Sequence, residues 1–186
     1  MNALISLHKA VFDRIEALAP VLLPTLARLI FAGVLFVYFW NSGLTKLGGD
    51  GLGGLFSPTF NAFAQIFPKG AEAAGYDIGQ ASAFQKLVIL AGTWSEFILP
   101  TLVVIGLFTR LAAIGMIGFV IVQSLTDIYG HGADAKTIGA WFDNLSDGHI
   151  VDQRAFWMFL LLYLVMRGAG PLSLDRLLGN RQAASG

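Results

Sequence analysis

Apolar residues gather into four stretches of roughly membrane length, separated by polar and glycine-rich connections. A bilayer-crossing helix needs about 20 residues at about 1.5 Å each. The first stretch runs from about Thr25 to Leu44, the second from Phe84 to Phe108, and the third from Leu111 to Ile128. The fourth ends at Met166 and Arg167. Its uninterrupted apolar part, Ala155 to Met166, is short, so the helix is extended back to about Ile150, with Asp152 and Arg154 at its outer end. Ahead of these spans, Leu4, Leu7, Val11, Ile15 and Leu18 recur at helical spacing. Residues 1–20 therefore read as an amphipathic helix ended near Pro20, lying on the membrane or packed against the protein. Lys9, Asp13, Arg14 and Glu16 interrupt any apolar core, so a cleaved signal is not expected there.

The two outer connections carry patterns of their own. After the turn Gly48-Gly49-Asp50-Gly51, Ser57 and Pro58 resemble an N-cap followed by proline at the first helical position. Phe60, Phe63 and Phe67 then share one face, and Pro68 and Gly70 stop the element. In the last connection Asp134 is the expected cap of a helix with Ile138, Trp141, Phe142 and Leu145 on one stripe, ending at Asp147-Gly148. The expectation is an all-α integral membrane four-helix bundle, with amphipathic interfacial helices in the two outer connections covering its outer end.

Only 13% of residues are charged, against roughly 25% in soluble domains. Net charge is zero and no basic cluster points to nucleic acid. The absence of cysteine excludes thiol relays and Cys-ligated clusters within the chain. With both termini on one side, that side holds seven Lys and Arg against five on the other. The positive-inside rule then favours cytoplasmic termini.

Glu96 stands in the second stretch, close to Trp94, Ser95 and Pro100. A carboxylate there must have a partner, face a cavity or take up a proton. It could bind a proton, hydrogen-bond a quinone, or form a purely structural salt bridge. Arg154 is the preferred partner by depth, followed by Arg28 and Lys46. Asn41 is costly in lipid and is expected to face another helix. Gly33, Gly43, Gly115 and Gly118 are expected packing notches. The candidate cofactor-binding residues are thus Glu96, Arg154, Arg28, Lys46, Asn41 and Trp94. No catalytic residue and no metal site are assigned: His131 and His149 flank a long intervening segment, and no span contains a histidine to hold haem.

Three stretches carry a family likeness. They are Ala27-Arg28-Leu29-Ile30-Phe31-Ala32-Gly33 leading to Ser42-Gly43-Leu44-Thr45-Lys46-Leu47; Glu96 followed by Gly106-Leu107-Phe108-Thr109-Arg110-Leu111-Ala112; and the run Gly168 to Leu178. In their order and spacing the chain resembles the DoxX family of small four-helix bacterial membrane proteins, over about residues 24–178. Arg28, Lys46, Glu96 and Arg110 match that family's recurrent polar positions. The resemblance implies kinship with the small membrane subunit of thiosulfate:quinone oxidoreductase and with membrane redox assemblies. The aromatic first outer connection and the histidine-flanked last one depart from the family pattern.

The expected organisation is a single membrane domain over 1–186, with the amphipathic helix at 1–20, four spans in 24–178 and a flexible tail at 179–186. The leading functional expectation is an accessory, quinone- or lipid-facing subunit of a membrane redox complex. It would have no intrinsic cofactor, would bind membrane lipids or a quinone, and would sit beside other complex subunits that supply any electron-transfer group. The alternatives are a structural or assembly subunit, in which Glu96 only locks helices together, and small-solute transport.

Overall fold

The computed structural model describes residues 2–49 and 52–184, so Met1, Asp50, Gly51, Ser185 and Gly186 fall outside it. The described residues are all α-helical, with no strand, and include four helices long and apolar enough to cross a membrane. The first is α-helical over Asn2–Phe31, passes through a π-helical turn at Ala32–Phe36, and resumes over Val37–Leu44. The second spans Ala83–Ile105. The third runs over Thr109–Leu125 and ends in a π-turn at Thr126–Gly130. The fourth begins with a π-turn at His149–Gln153 and continues over Arg154–Arg167.

The first helix departs from expectation at its start, because it does not end near Pro20. Pro20 and Pro24 both lie inside it. Each proline removes one N–H from the ladder, but helical turns on both sides carry the axis through. The expected separate surface helix is the leading part of one continuous rod. Its residues from Leu4 to Leu18 are exposed on every side. A terminal helix, Leu174–Ala184, follows the fourth span.

One stripe of the first helix faces inward. Ala27, Phe31, Leu35 and Phe39 are buried at spacings of four, and they meet Val103, Ala112, Met116, Val120, Leu161 and Leu164 from the other spans. Arg28 lies at one end of this stripe and Lys46 at the other, and both are buried. On the second helix Ile89, Thr93, Glu96, Pro100 and Val103 form the matching buried stripe. Of the four expected glycine notches, two are tight. A Cβ on Gly43 would stand 2.6 Å from the Phe97 ring, and one on Gly115 would stand 2.9 Å from Leu99. Gly33 and Gly118 face open space.

The outer connections differ from their expected form. In the first, Thr59 rather than Ser57 caps the helix Phe60–Ile66, accepting from the Ala62 N–H. Pro68 does not stop this element cleanly; it opens a second short helix, Pro68–Ala73, from its first position. Phe63 is buried with Ala62, Ala71, Ala81 and Ile89, which seats the connection on the second span, while Phe60 is exposed. In the last connection Asp134 does cap a helix, and the backbone N–H and hydroxyl of Thr137 hold its carboxyl below the usual range. That helix covers only Ala135–Ile138. Gly139 ends it at φ +76°, a conformation open to glycine. Trp141, Phe142 and Leu145 are exposed in the turns beyond rather than aligned on a helical stripe.

At the end of the bundle that carries both termini, Arg28 ties three segments together. Its Nε donates to the Val103 carbonyl at 3.0 Å and its Nη2 to the Val104 carbonyl at 2.5 Å. Its Nη1 donates to the carbonyls of Ala169 at 3.1 Å and Leu172 at 2.5 Å. These acceptors lie in the last turn of the second helix and in the chain after the fourth, where helical donors run out; the Val103 carbonyl also accepts from the Gly106 N–H at 3.3 Å. Gly106 turns the chain out of the second helix at φ +71°, and a Cβ there would press on Arg28 and Ser173. The carboxylate of Asp175 then accepts from the N–H groups of Phe108 at 2.7 Å and Thr109 at 3.0 Å, capping the third helix from a distant part of the chain. Arg28→Lys keeps the charge but cannot span four carbonyls in a planar fork. Thermal unfolding in detergent should show that variant destabilised by roughly 2–4 kcal/mol; melting like the wild type would show that the clamp contributes little.

Candidate functional site

Glu96 is buried, and its partner is Lys46. The Lys46 ammonium lies 3.0 Å from Oε1 and 2.9 Å from Oε2 of the carboxylate. Ser42, one turn before Lys46, completes the group. Its hydroxyl donates to Glu96 Oε1 at 2.9 Å and accepts from Lys46 Nζ at 2.8 Å. Lys46 also reaches the Ser42 carbonyl at 3.2 Å. The triad forms because Ser42 and Lys46 are four residues apart on the inward stripe of the first helix. Glu96 stands opposite them on the buried stripe of the second.

Arg154, the partner expected by depth, is engaged elsewhere. It donates to Asp127 Oδ2 at 2.6 Å and to Ser124 Oγ at 2.8 Å, and lies over the Trp157 ring at 5.8 Å. Two π-turns produce this second pair. Asp127 lies in the one that ends the third helix, and Arg154 directly succeeds the one that opens the fourth. Each π-turn inserts one residue and rotates the next part of the chain by about 100° relative to a regular helix. Depth alone therefore misassigned the cation.

A cavity of about 510 Å³ lies between the first three spans and the first outer connection. Ser42, Lys46 and Glu96 line one part of its wall, and Gln123, Asp127 and His131 another, with Val88, Leu99, Phe119 and Val122 among its apolar surfaces. Gln123 Nε2 donates to the Tyr38 hydroxyl at 2.8 Å, which links the third and first helices across it. Gln65 and Ile66 of the first outer connection also line the cavity. Bonds that tie that connection down include Thr59 Oγ1 to the Lys46 carbonyl at 2.9 Å, Gln65 Nε2 to Thr45 Oγ1 at 3.2 Å, and His131 Nε2 against the Gln65 carbonyl at 3.0 Å.

Of the six candidate cofactor-binding residues, Lys46 and Glu96 line this cavity. Arg28 is occupied by carbonyls at the opposite end, and Arg154 belongs to the neighbouring ion pair. Asn41 is exposed rather than facing another helix, because it lies off the inward stripe of the first span. Trp94 is half-buried and donates its indole N–H to the Leu55 carbonyl at 3.0 Å, fastening the first outer connection. Ser42, Gln123, Tyr38 and Asp127 were missed as cavity residues. For Ser42 the signal was available, since it lies one turn from Lys46 on the same stripe. Among the described residues no group of three or more His, Asp or Glu side chains is placed to hold a metal ion.

The family profile for DoxX matches residues 23–126, more than half of the chain. The chain belongs to the DoxX family. It matches no curated protein and no solved structure. The matched region of this DoxX protein contains Arg28 with its two acceptors on the second span, and the whole Ser42–Lys46–Glu96 group. It stops short of Asp127 and of the fourth span. With four membrane-length helices, the protein is a multi-pass member of this membrane family.

The buried pair responds to substitution in a characteristic way. Glu96→Gln or Lys46→Met alone leaves a buried partner uncompensated and should cost about 3–5 kcal/mol. The double variant should recover a large part of that loss. A double-mutant cycle on unfolding in detergent measures the difference, and strictly additive costs would show that the two side chains act independently.

Proposed function

We propose that this DoxX protein is an accessory subunit of a membrane redox complex whose inter-helix cavity holds the ring of a quinone beside Lys46, Ser42 and Glu96. The observation that carries this reading is a ligand-sized, largely apolar cavity with a paired ammonium and carboxylate in its wall. Small-molecule sites commonly have volumes of 300–1,000 Å³ and few polar groups. A quinone carbonyl accepts hydrogen bonds, which the Lys46 ammonium and the Ser42 hydroxyl can supply by exchanging partners. Reduction to the quinol adds two electrons and two protons, and Glu96 is placed to pass a proton. In this reading the electrons come from a partner subunit that carries the redox group.

A second reading has its own support. The ammonium of Lys46 has three protons, and two oxygens of Glu96 and two of Ser42 already surround it. Such a saturated pair suits a structural or assembly subunit in which Glu96 only locks two helices. Glu96→Gln separates the two. Under the redox reading the complex assembles on the variant but loses quinone-linked turnover, with altered pH dependence. Under the structural reading assembly itself weakens. Assembly and turnover measured together on native membranes decide between them. Unchanged assembly with unchanged turnover across pH excludes a catalytic role for Glu96.

For orientation, we propose an inner membrane location with both termini cytoplasmic, supported by the bias of Lys and Arg toward the terminal side. A reporter fused at the C-terminus should then be active only as a cytoplasmic marker, and a label near Gly70 should react with an external reagent. Labelling at the C-terminus with protection near Gly70 reverses the assignment.

A further inference from the structure

We infer that the bundle end carrying both termini has a binding site for the phosphate headgroup of an anionic phospholipid, built from Arg167 and Arg176. A second cavity, of about 460 Å³, lies there, distinct from the one beside Glu96. Its walls include Pro20 and Val21 of the first helix, Ala169 and Pro171 of the chain after the fourth, and the two arginines.

Charge is the first support. Both arginines are exposed, and among the described residues the ion pairs are Lys46–Glu96 and Arg154–Asp127, neither of which involves them. Asp175 also borders this cavity, but its carboxylate is spent on the N–H groups of Phe108 and Thr109. Two guanidiniums against the one carboxylate of Asp175 thus leave this concave surface net positive, and guanidinium pairs well with phosphate oxygens.

Depth is the second support. Arg28 lies at the end of the buried stripe, and Val21 is seven residues further along the same helix, about 10 Å beyond it. The headgroup layer occupies roughly 5–8 Å outside each face of the hydrocarbon. The cavity reaches from Ala169, whose carbonyl Arg28 binds, out to Val21, so it spans the layer in which lipid phosphates are found, with Val21, Ala169 and the two prolines as apolar walls for the adjoining glycerol. Basic pockets between spans at this level commonly hold anionic headgroups.

Delipidated full-length protein in detergent, titrated with phosphatidylglycerol, phosphatidylcholine or inorganic phosphate and read by native mass spectrometry, tests the site. Phosphatidylglycerol should bind roughly tenfold more tightly than phosphatidylcholine, since two cations near a phosphate contribute on that order. Replacing both arginines by glutamine should abolish the preference, replacing both by lysine should keep it, and Arg14→Gln, on the exposed leading helix, should leave it intact. Both target residues are exposed, so unchanged melting temperatures confirm that the variants fold. Equal binding of the two lipids, or a preference that survives the double glutamine change, overturns the inference. Inorganic phosphate binding as tightly as phosphatidylglycerol overturns the lipid assignment in favour of a free-phosphate site.

Discussion

In hydrocarbon no water is available to satisfy a polar group, and this fold is organised around the two cations that its first helix buries. Arg28 and Lys46 lie eighteen residues apart, or about 27 Å along the helix axis. That is close to the roughly 30 Å thickness of a bilayer core. Each cation is therefore near a boundary, where burial is less costly than at the midplane. Each is also neutralised differently. Arg28 spreads its donors over four carbonyls at a helix end and in the chain after the fourth span, whereas Lys46 meets a full counter-charge. The second helix answers both, with carbonyls at one end and Glu96 toward the other.

The consequences for the two ends diverge. At the terminal end, the carbonyls beside Gly106, the Arg28 guanidinium and Asp175 interlock so that three distant segments share one set of hydrogen bonds. One altered side chain there would strand several buried groups. Toward the outer end the polar residues surround an open cavity instead. The same chemistry that saturates the terminal knot leaves room beside Glu96, and the first outer connection covers it through Thr59, Gln65 and His131.

Much of this was legible from the sequence. The four spans, the Asp134 cap, the burial of Glu96 and the need to pair it all come from apolar run lengths and the cost of charge in lipid. Three features did not. The run from Leu4 through Pro20 to Leu44 looked like two elements, because a proline usually marks a boundary, yet nothing in the first turn after it breaks the helix. The pairing of Glu96 went to Lys46 rather than Arg154, because π-turns rotate Asp127 and Arg154 in a way that 3.6-residue periodicity does not register. The aromatic stripe after Ile138 failed because Gly139 takes a positive φ that ends the helix before Trp141 can join it.

The two prolines in the first helix also measure depth. Pro20 and Pro24 have no N–H to give, so the carbonyls of Glu16 and Pro20, four residues earlier in each case, lose their helical donors. A carbonyl left without its helical donor needs another, and water or headgroups at a membrane boundary supply one readily. A place for residues 16–20 at the headgroup level would meet that need without a partner helix. The leading helix, with its leucines exposed, is an extension of the rod that begins the bundle. A push on that extension would be delivered along a single axis to Arg28, making the terminal knot the point at which anything touching the leading helix would be felt.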